Sequence, residues 1–142
     1  MATTAEIVAG FLADAGVRRI YGVPGGGSTL DMIEACRQRR IEFHLAHGEA
    51  AAAVMAATEG DLLDRPGVCL ADLGTGVARA VAGAAHAYLD RAPLLLLTGR
   101  SSRSSLRLTG WHGLDHARLL EEVTKCSRTI TAPWAERLLY WA

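Results

Sequence analysis

Arg65–Arg100 reads RPGVCLADLGTGVARAVAGAAHAYLDRAPLLLLTGR, and the order of patterns in it decides the fold. Val68–Leu73 is a short apolar run that follows the turn-forming Asp64-Arg65-Pro66-Gly67, which predicts a buried strand. Gly74-Thr75-Gly76 opens a helix through about Tyr88, with Val77, Val81, Ala84, Ala85 and Tyr88 as its apolar stripe. Pro93–Gly99 holds four consecutive leucines, the pattern of a parallel strand covered on both faces. Two strands joined through a connection of this length pair in parallel.

The same alternation continues on either side. Thr3-x-x-Glu6 is a capping box before a helix with Ile7, Val8, Phe11 and Leu12 on one face and Gly16 as its stop. Arg18–Val23 reads as a strand ending at Pro24. Ser28-x-x-Asp31 is expected to cap a helix carrying Met32, Ile33 and Cys36. Ile41–Ala46 is the next strand, and a helix runs from Glu49 to about Glu59. Beyond Gly99 come a loop rich in Ser and Arg, a helix near Asp115–Glu122, a strand over Ser127–Ala132 and a last helix with Pro133 at its first position. Strands alternating with helices predict an α/β domain: an open parallel sheet with helices on both faces. With 142 residues the chain reads as one domain over 1–142. Its last helix meets the C-terminus with no closing strand, as in a domain that ends there or in one truncated there.

Composition removes several function classes. The 15 basic and 15 acidic side chains cancel, so no global field draws the chain to nucleic acid or to an anionic membrane. Arg100, Arg103 and Arg107 are the local exception and read as a solvated loop rather than a phosphate site. No apolar run is long enough to span a bilayer, and the N-terminus is not a signal peptide. Cys36, Cys69 and Cys126 form no C-x-x-C pair, and a reducing, cytoplasmic setting is expected. Cys36 and Cys69 read as small core residues.

Ligands of open parallel sheets bind beyond the carboxyl ends of the strands. Three loops of this chain lie there: Gly22–Ser28 (GVPGGGS), Leu45–Ala50 (LAHGEA) and Asp72–Ala78 (DLGTGVA). The first is not G-x-G-x-x-G, and no phosphate-loop lysine exists, since Lys125 is the only lysine. Glu49 is the chemically distinctive residue. A glutamate in the first turn of a helix is favoured by the helix dipole alone. Here it precedes an alanine run that would strip water from the carboxyl, and a carboxyl in such a pocket suits hydrogen bonding to a heterocycle nitrogen. His47, His112 and Asp115 are the other polar candidates, and neither a nucleophile pair nor a metal cluster is visible.

Tyr21–Ala35 with its flanking Ile20, Gly48–Ala57, Arg65–Arg100 and Leu119–Ile130 together resemble the pyrimidine-binding N-terminal domain of thiamine-diphosphate-dependent enzymes, acetolactate synthase and benzoylformate decarboxylase above all. The resemblance runs through nearly the whole chain in the family's order. It implies that Glu49 is the glutamate that hydrogen-bonds N1′ of the aminopyrimidine ring and activates the cofactor, although Gly48 stands where the family often has His. It implies that Pro24 and Gly25 line the pyrimidine pocket and that Gly74, Thr75 and Gly76 form the family's G-x-G loop. Gly26 stands where some decarboxylases carry a substrate-contacting Ser, and His112 is a further substrate-side candidate. The implied substrate is a small 2-keto acid, and the implied reaction is decarboxylation or carboligation. Nothing indicates FAD, which some members carry.

Family members hold the diphosphate and Mg²⁺ through a G-D-G…N motif on a second domain, and that motif is missing from these 142 residues. The resemblance therefore implies a diphosphate-binding domain or subunit as partner, a homo- or hetero-oligomer, and no activity for the chain alone. Three readings follow: one subunit of a split enzyme, the leading fragment of a longer enzyme, or a non-catalytic remnant or binding module of the same fold. Trp134, Tyr140 and Trp141 suit an interface or packing back onto the sheet.

Overall fold

The computed structural model describes residues 2–100 and 113–130. The elements run α1 (Thr4–Asp14), β1 (Arg19–Gly22), α2 (Gly27–Gln38), β2 (Glu42–Leu45), α3 (Glu49–Leu63), β3 (Gly67–Ala71), α4 (Thr75–Asp90), β4 (Leu94–Thr98) and a short α5 (His116–Leu120) extended by a 3₁₀ turn over Glu121–Val123. The four strands form one all-parallel sheet in the order β2-β1-β3-β4.

That order explains the layers. Right-handed crossovers place a connecting helix on one face when the chain steps one way along the sheet, and on the other face when it steps back. The step from β1 to β2 runs one way; the steps to β3 and β4 run the other. Accordingly α1 and α2 cover one face, where Val8, Leu12, Met32 and Cys36 pack with Ile20, Val68 and Leu70. The opposite face carries α3 on Tyr21, Cys69, Leu94 and Leu96, and then α4 and α5 around Val77, Ala84 and Leu120. β3 is buried at all five positions because it is central and covered on both sides.

Local chemistry sets most of the element ends. Thr3 and Glu6 close the capping box in both directions, at 3.2 and 2.7 Å. The second helix starts earlier than Ser28 implies: its N-cap is Gly26, and the hydroxyl of the buried Thr29 donates to the Gly26 carbonyl at 2.7 Å while accepting from Gly25 N–H at 3.1 Å. The hydroxyl that shapes this turn is therefore that of Thr29. α3 runs on to Leu63, ending at Asp64 in the left-handed conformation. β4 is half-buried at every position, against the expectation of a fully covered strand, because it is the edge strand among the described residues. Ser127–Ile130 belongs to no strand, and the rest of that expected strand and the helix after Pro133 lie outside the described residues, as do Trp134, Tyr140 and Trp141.

Two apolar stripes are rotated from their expected positions. α1 buries Val8, Ala9 and Leu12, with Ile7 and Phe11 at the margin. α4 buries Gly76, Val77, Ala80, Gly83, Ala84 and Ala87, while Tyr88 is exposed. Close approach of α3 and α4 explains the second shift: small side chains beat large ones where two backbones nearly touch. A Cβ built on Gly83 would lie 2.5 Å from Ala53 Cβ and 2.6 Å from the Ala50 carbonyl oxygen. In an open helix Gly→Ala stabilises by roughly 0.5–1 kcal/mol. At this contact Gly83→Ala is expected instead to destabilise by about 1–3 kcal/mol, as overpacking does. Urea unfolding checks the sign, and a gain in stability would contradict the close α3–α4 packing.

Candidate functional site

The strand order reverses direction between β1 and β3, so the loops leaving their carboxyl ends diverge to opposite faces and leave a crevice between them. The turn after β1 contains Pro24–Gly27, and the turn after β3 contains Asp72–Gly74. α3 comes to the same end of the sheet from β2 and brings Glu49 in its first turn. Its N-cap, Gly48, makes no side-chain cap, so a carboxylate here meets the positive end of the helix without competition from a capping hydroxyl.

Glu49 is 4% exposed, although it lies at a helix terminus. It and Thr29 are the buried polar side chains among the described residues, and Thr29 is accounted for by its turn. The guanidinium of Arg79, from the first turns of α4, stands 3.9 Å from Glu49 Oε2. Arg79 is largely solvent-exposed, so the pair is a weak one. Desolvation by burial, with the negative charge of Glu49 as a smaller cause, pushes the Cys69 thiol up to about 12, which leaves that cysteine an inert core residue.

Gly76 joins Glu49 to the third strand's turn. A Cβ at Gly76 would sit 3.2 Å from Glu49 Oε1 and 3.3 Å from Asp72 Cβ. Glycine thus leaves room for the buried carboxylate at the start of α4. Gly74, the N-cap of α4, has φ 67° and ψ −109°, a conformation that glycine adopts without strain. Asp72 reaches from β3 to the first turn: its Oδ2 accepts from Gly26 N–H at 3.3 Å. Gly25 lies directly against it, since a Cβ there would fall 2.0 Å from Asp72 Cγ.

The structure therefore brings Gly25, Gly26, Gly76 and Glu49 together through Asp72, which the sequence places where the third strand meets the Asp72–Ala78 loop but to which it assigns no role. The signal was an Asp ending an otherwise apolar run. Gly74 is buried beside these residues, whereas Pro24 and Thr75 are exposed at the rim. His112 lies outside the described residues. His47 is exposed. Among the described residues no group of three or more His, Cys, Asp or Glu is placed to hold a metal ion, and no helix is long and apolar enough to cross a membrane.

A second overlooked residue is His116, in the first turn of α5. Its Nε2 accepts from Gly74 N–H at 3.1 Å, and its Nδ1 lies 3.4 Å from the hydroxyl of Thr98 at the end of β4. Accepting through Nε2 requires a neutral ring with the proton on Nδ1. Burial first, and the charge of Arg100 second, lower the pKa of His116 below the ordinary 6.5, with Asp115 opposing. A depressed folded pKa stabilises the neutral form, so this contribution is present above about pH 6.5 and is lost as pH falls through the folded value. Titration of the His116 ring by NMR is expected to give a midpoint below 6.5. His116→Ala is expected to remove the part of the acid-side loss of stability that this ring causes. A midpoint at or above 6.5 would contradict the Gly74 contact.

Residues 2–120 match the family model described as thiamine pyrophosphate enzyme, N-terminal TPP binding domain. The chain is 33% identical over 121 residues to an acetolactate synthase of Arthrospira platensis, covering 83% of this chain and 21% of that protein. It is 31% identical over 146 residues to the acetolactate synthase isozyme 3 large subunit of Escherichia coli (strain K12), covering 99% of this chain and 25% of the relative. A 2-hydroxyacyl-CoA lyase of Saccharomyces cerevisiae is 31% identical over 132 residues, covering 92% and 23%. The chain thus spans between 21% and 25% of the length of these relatives. With the parallel α/β sheet and the match over residues 2–120, this chain belongs to the thiamine pyrophosphate enzymes, as a member of their N-terminal TPP binding domain family.

Proposed function

We propose that the chain supplies the aminopyrimidine-binding half of an active site that decarboxylates or carboligates a small 2-keto acid, in the manner of acetolactate synthase, and that a diphosphate-binding domain or subunit supplies the other half. The observation that carries this reading is the burial of Glu49 at the carboxyl end of a parallel sheet, 4% exposed and flanked by glycine backbone. A charged group at such a place costs several kcal/mol to desolvate, and the dipole of α3 returns only about 0.3–1 kcal/mol. A ring nitrogen that shares a proton with the carboxyl would supply the missing partner.

The residues present fit a flat nitrogen heterocycle. Glu49 offers a carboxyl, and Gly76 keeps a Cβ away from it, while Gly25 leaves its space to Asp72. Thiamine diphosphate, when bound, supplies the electron sink that decarboxylation of a 2-keto acid needs. In this reading Glu49 holds a proton at N1′ of the ring, the glycine turns after β1 and β3 present backbone to its faces, and the alanines of α3 keep water away. Mg²⁺ and the diphosphate would be held by the partner, and the assembled site would lie between chains or domains. A cytoplasmic oligomer suits these roles.

The second reading is a binding module of the same fold without catalysis. Arg79 favours it, because its guanidinium, 3.9 Å from Glu49 Oε2, offers the carboxylate a partner within the chain. The two readings part when the chain is mixed with a diphosphate-binding domain carrying G-D-G…N, thiamine diphosphate, Mg²⁺ and pyruvate. Release of carbon dioxide is expected. Glu49→Gln is expected to lower kcat by about 10²-fold or more, the scale of a lost proton-transfer partner, with the unfolding midpoint unchanged or raised. Equal turnover by the Gln variant would remove Glu49 from the chemistry, and binding without turnover by the wild type would establish the second reading.

A further inference from the structure

Asp72 is explained neither by the core nor by the role given to Glu49. It follows the fully buried β3 and stands at the crevice where the strand order reverses. One carboxylate oxygen, Oδ2, accepts from Gly26 N–H at 3.3 Å. The other, Oδ1, is buried with no hydrogen-bond partner among the described residues. An unpartnered buried carboxylate oxygen is destabilising, and Ser or Asn in its place would carry less charge into the same space. The position therefore holds a charge that folding alone does not favour.

Its neighbours show what the charge does. Gly25 packs on Asp72 so closely that no other residue fits there without displacing the carboxylate. Gly26 is at once the hydrogen-bond donor to Asp72 and the N-cap of α2, where it makes no side-chain cap. Gly27 has φ 27°. Four residues, Pro24–Gly27, thus make a turn with little intrinsic preference for one conformation, as three consecutive glycines dictate. Within the turn the Thr29 hydroxyl ties Gly25 to Gly26, and among the described residues Asp72 alone hydrogen-bonds the turn to the strand end across the crevice. On its other side Asp72 Cβ shares the space over Gly76 with Glu49 Oε1.

We infer that Asp72 is a positioning residue: its carboxylate fixes the Pro24–Gly27 turn to the carboxyl end of β3 and so sets the separation between that turn and Glu49. The inference rests on the proposed pyrimidine-binding role of this crevice. Asp72 need touch no ligand. It acts through the glycine turn, whose backbone would face the ring, by giving Gly26 N–H an oxygen acceptor on the sheet side of the crevice. The closeness of Gly25 to Asp72 makes the contact two-sided, since a turn that drifts opens a void beside the carboxylate.

The test uses the whole chain and two substitutions. Asp72→Asn keeps an oxygen acceptor for Gly26 N–H, whereas Asp72→Ala removes it. Amide hydrogen exchange is read at Gly25–Thr29, with α3 and β3 as internal controls for folding. Asp72→Ala is expected to speed exchange in the turn by about tenfold or more with the controls unchanged, and Asp72→Asn is expected to restore most of the protection. Thiamine is the binding probe, and its Kd is expected to rise at least fivefold in Asp72→Ala with recovery in Asp72→Asn. Unchanged exchange at Gly25–Thr29 in the Ala variant would overturn the inference, as would faster exchange with thiamine affinity unaltered. If thiamine binding is weakened by Glu49→Gln but not by Asp72→Ala, the pyrimidine-site reading stands and the positioning role falls. If Glu49→Gln leaves it unaltered while Asp72→Ala weakens it, Glu49 loses its role and Asp72 keeps its own.

Discussion

Right-handed crossovers impose the geometry on which everything else here rests. A chain that steps from β1 to β2 and then back across to β3 must change faces, and the loops leaving β1 and β3 must part. The gap between them is a property of topology rather than of any side chain. What this sequence adds is the furnishing of the gap. Glycine-rich turns on both sides let backbone form its walls, and α3 arrives from the neighbouring strand with an acidic first turn. A site of this kind needs few specialised residues because the scaffold has already placed the strand ends and helix starts together.

Two carboxylates share this small space, and their surroundings separate their roles. Glu49 is almost wholly buried, faces the positive end of α3 and, among the described residues, has the exposed and weakly paired Arg79 as its ion-pair partner. Asp72 is partly exposed as a residue, yet it is engaged with the Gly26 amide and pressed against Gly25. One carboxyl is left free for a partner from outside; the other is used to hold a flexible turn. His116 does for the start of α4 what Asp72 does for the turn after β1: it takes up the Gly74 N–H and links it to the end of β4. Both residues come from outside the turns they steady, which suits turns whose own glycines cannot.

Much of this was legible from residue pattern because the strands are short and apolar and the helices carry local stop and start signals. The capping box at Thr3 and Glu6 formed as the spacing implies, and the leucine run at Leu94–Leu97 paired in parallel beside β3. Glu49 stood out because a lone acid before the eight small or apolar residues Ala50–Ala57 is unusual. The errors share one cause: contacts between elements that periodicity does not encode. Tyr88 looked like the end of an apolar stripe, but α4 turns its alanines and Gly83 inward to approach α3. Ser28 looked like a cap, but Thr29 one residue on was the hydroxyl that closed the turn. The contacts of Asp72 and His116 were not legible because their partners, Gly26 and Gly74, lie 46 and 42 residues away. His112 lies outside the described residues and stays a sequence-based candidate.

Glu49 plays the part proposed for it only if a coenzyme ring meets the buried acid between the two glycine turns. Intermolecular nuclear Overhauser effects from the pyrimidine protons of thiamine, at saturating concentration, locate the ring directly. The predicted result is contact with the start of α3 at Ala50 and with Gly25 and Gly76, together with a shift of the Glu49 carboxyl carbon on binding. Contacts confined to another part of the surface, with the Glu49 carboxyl carbon unmoved, would contradict it.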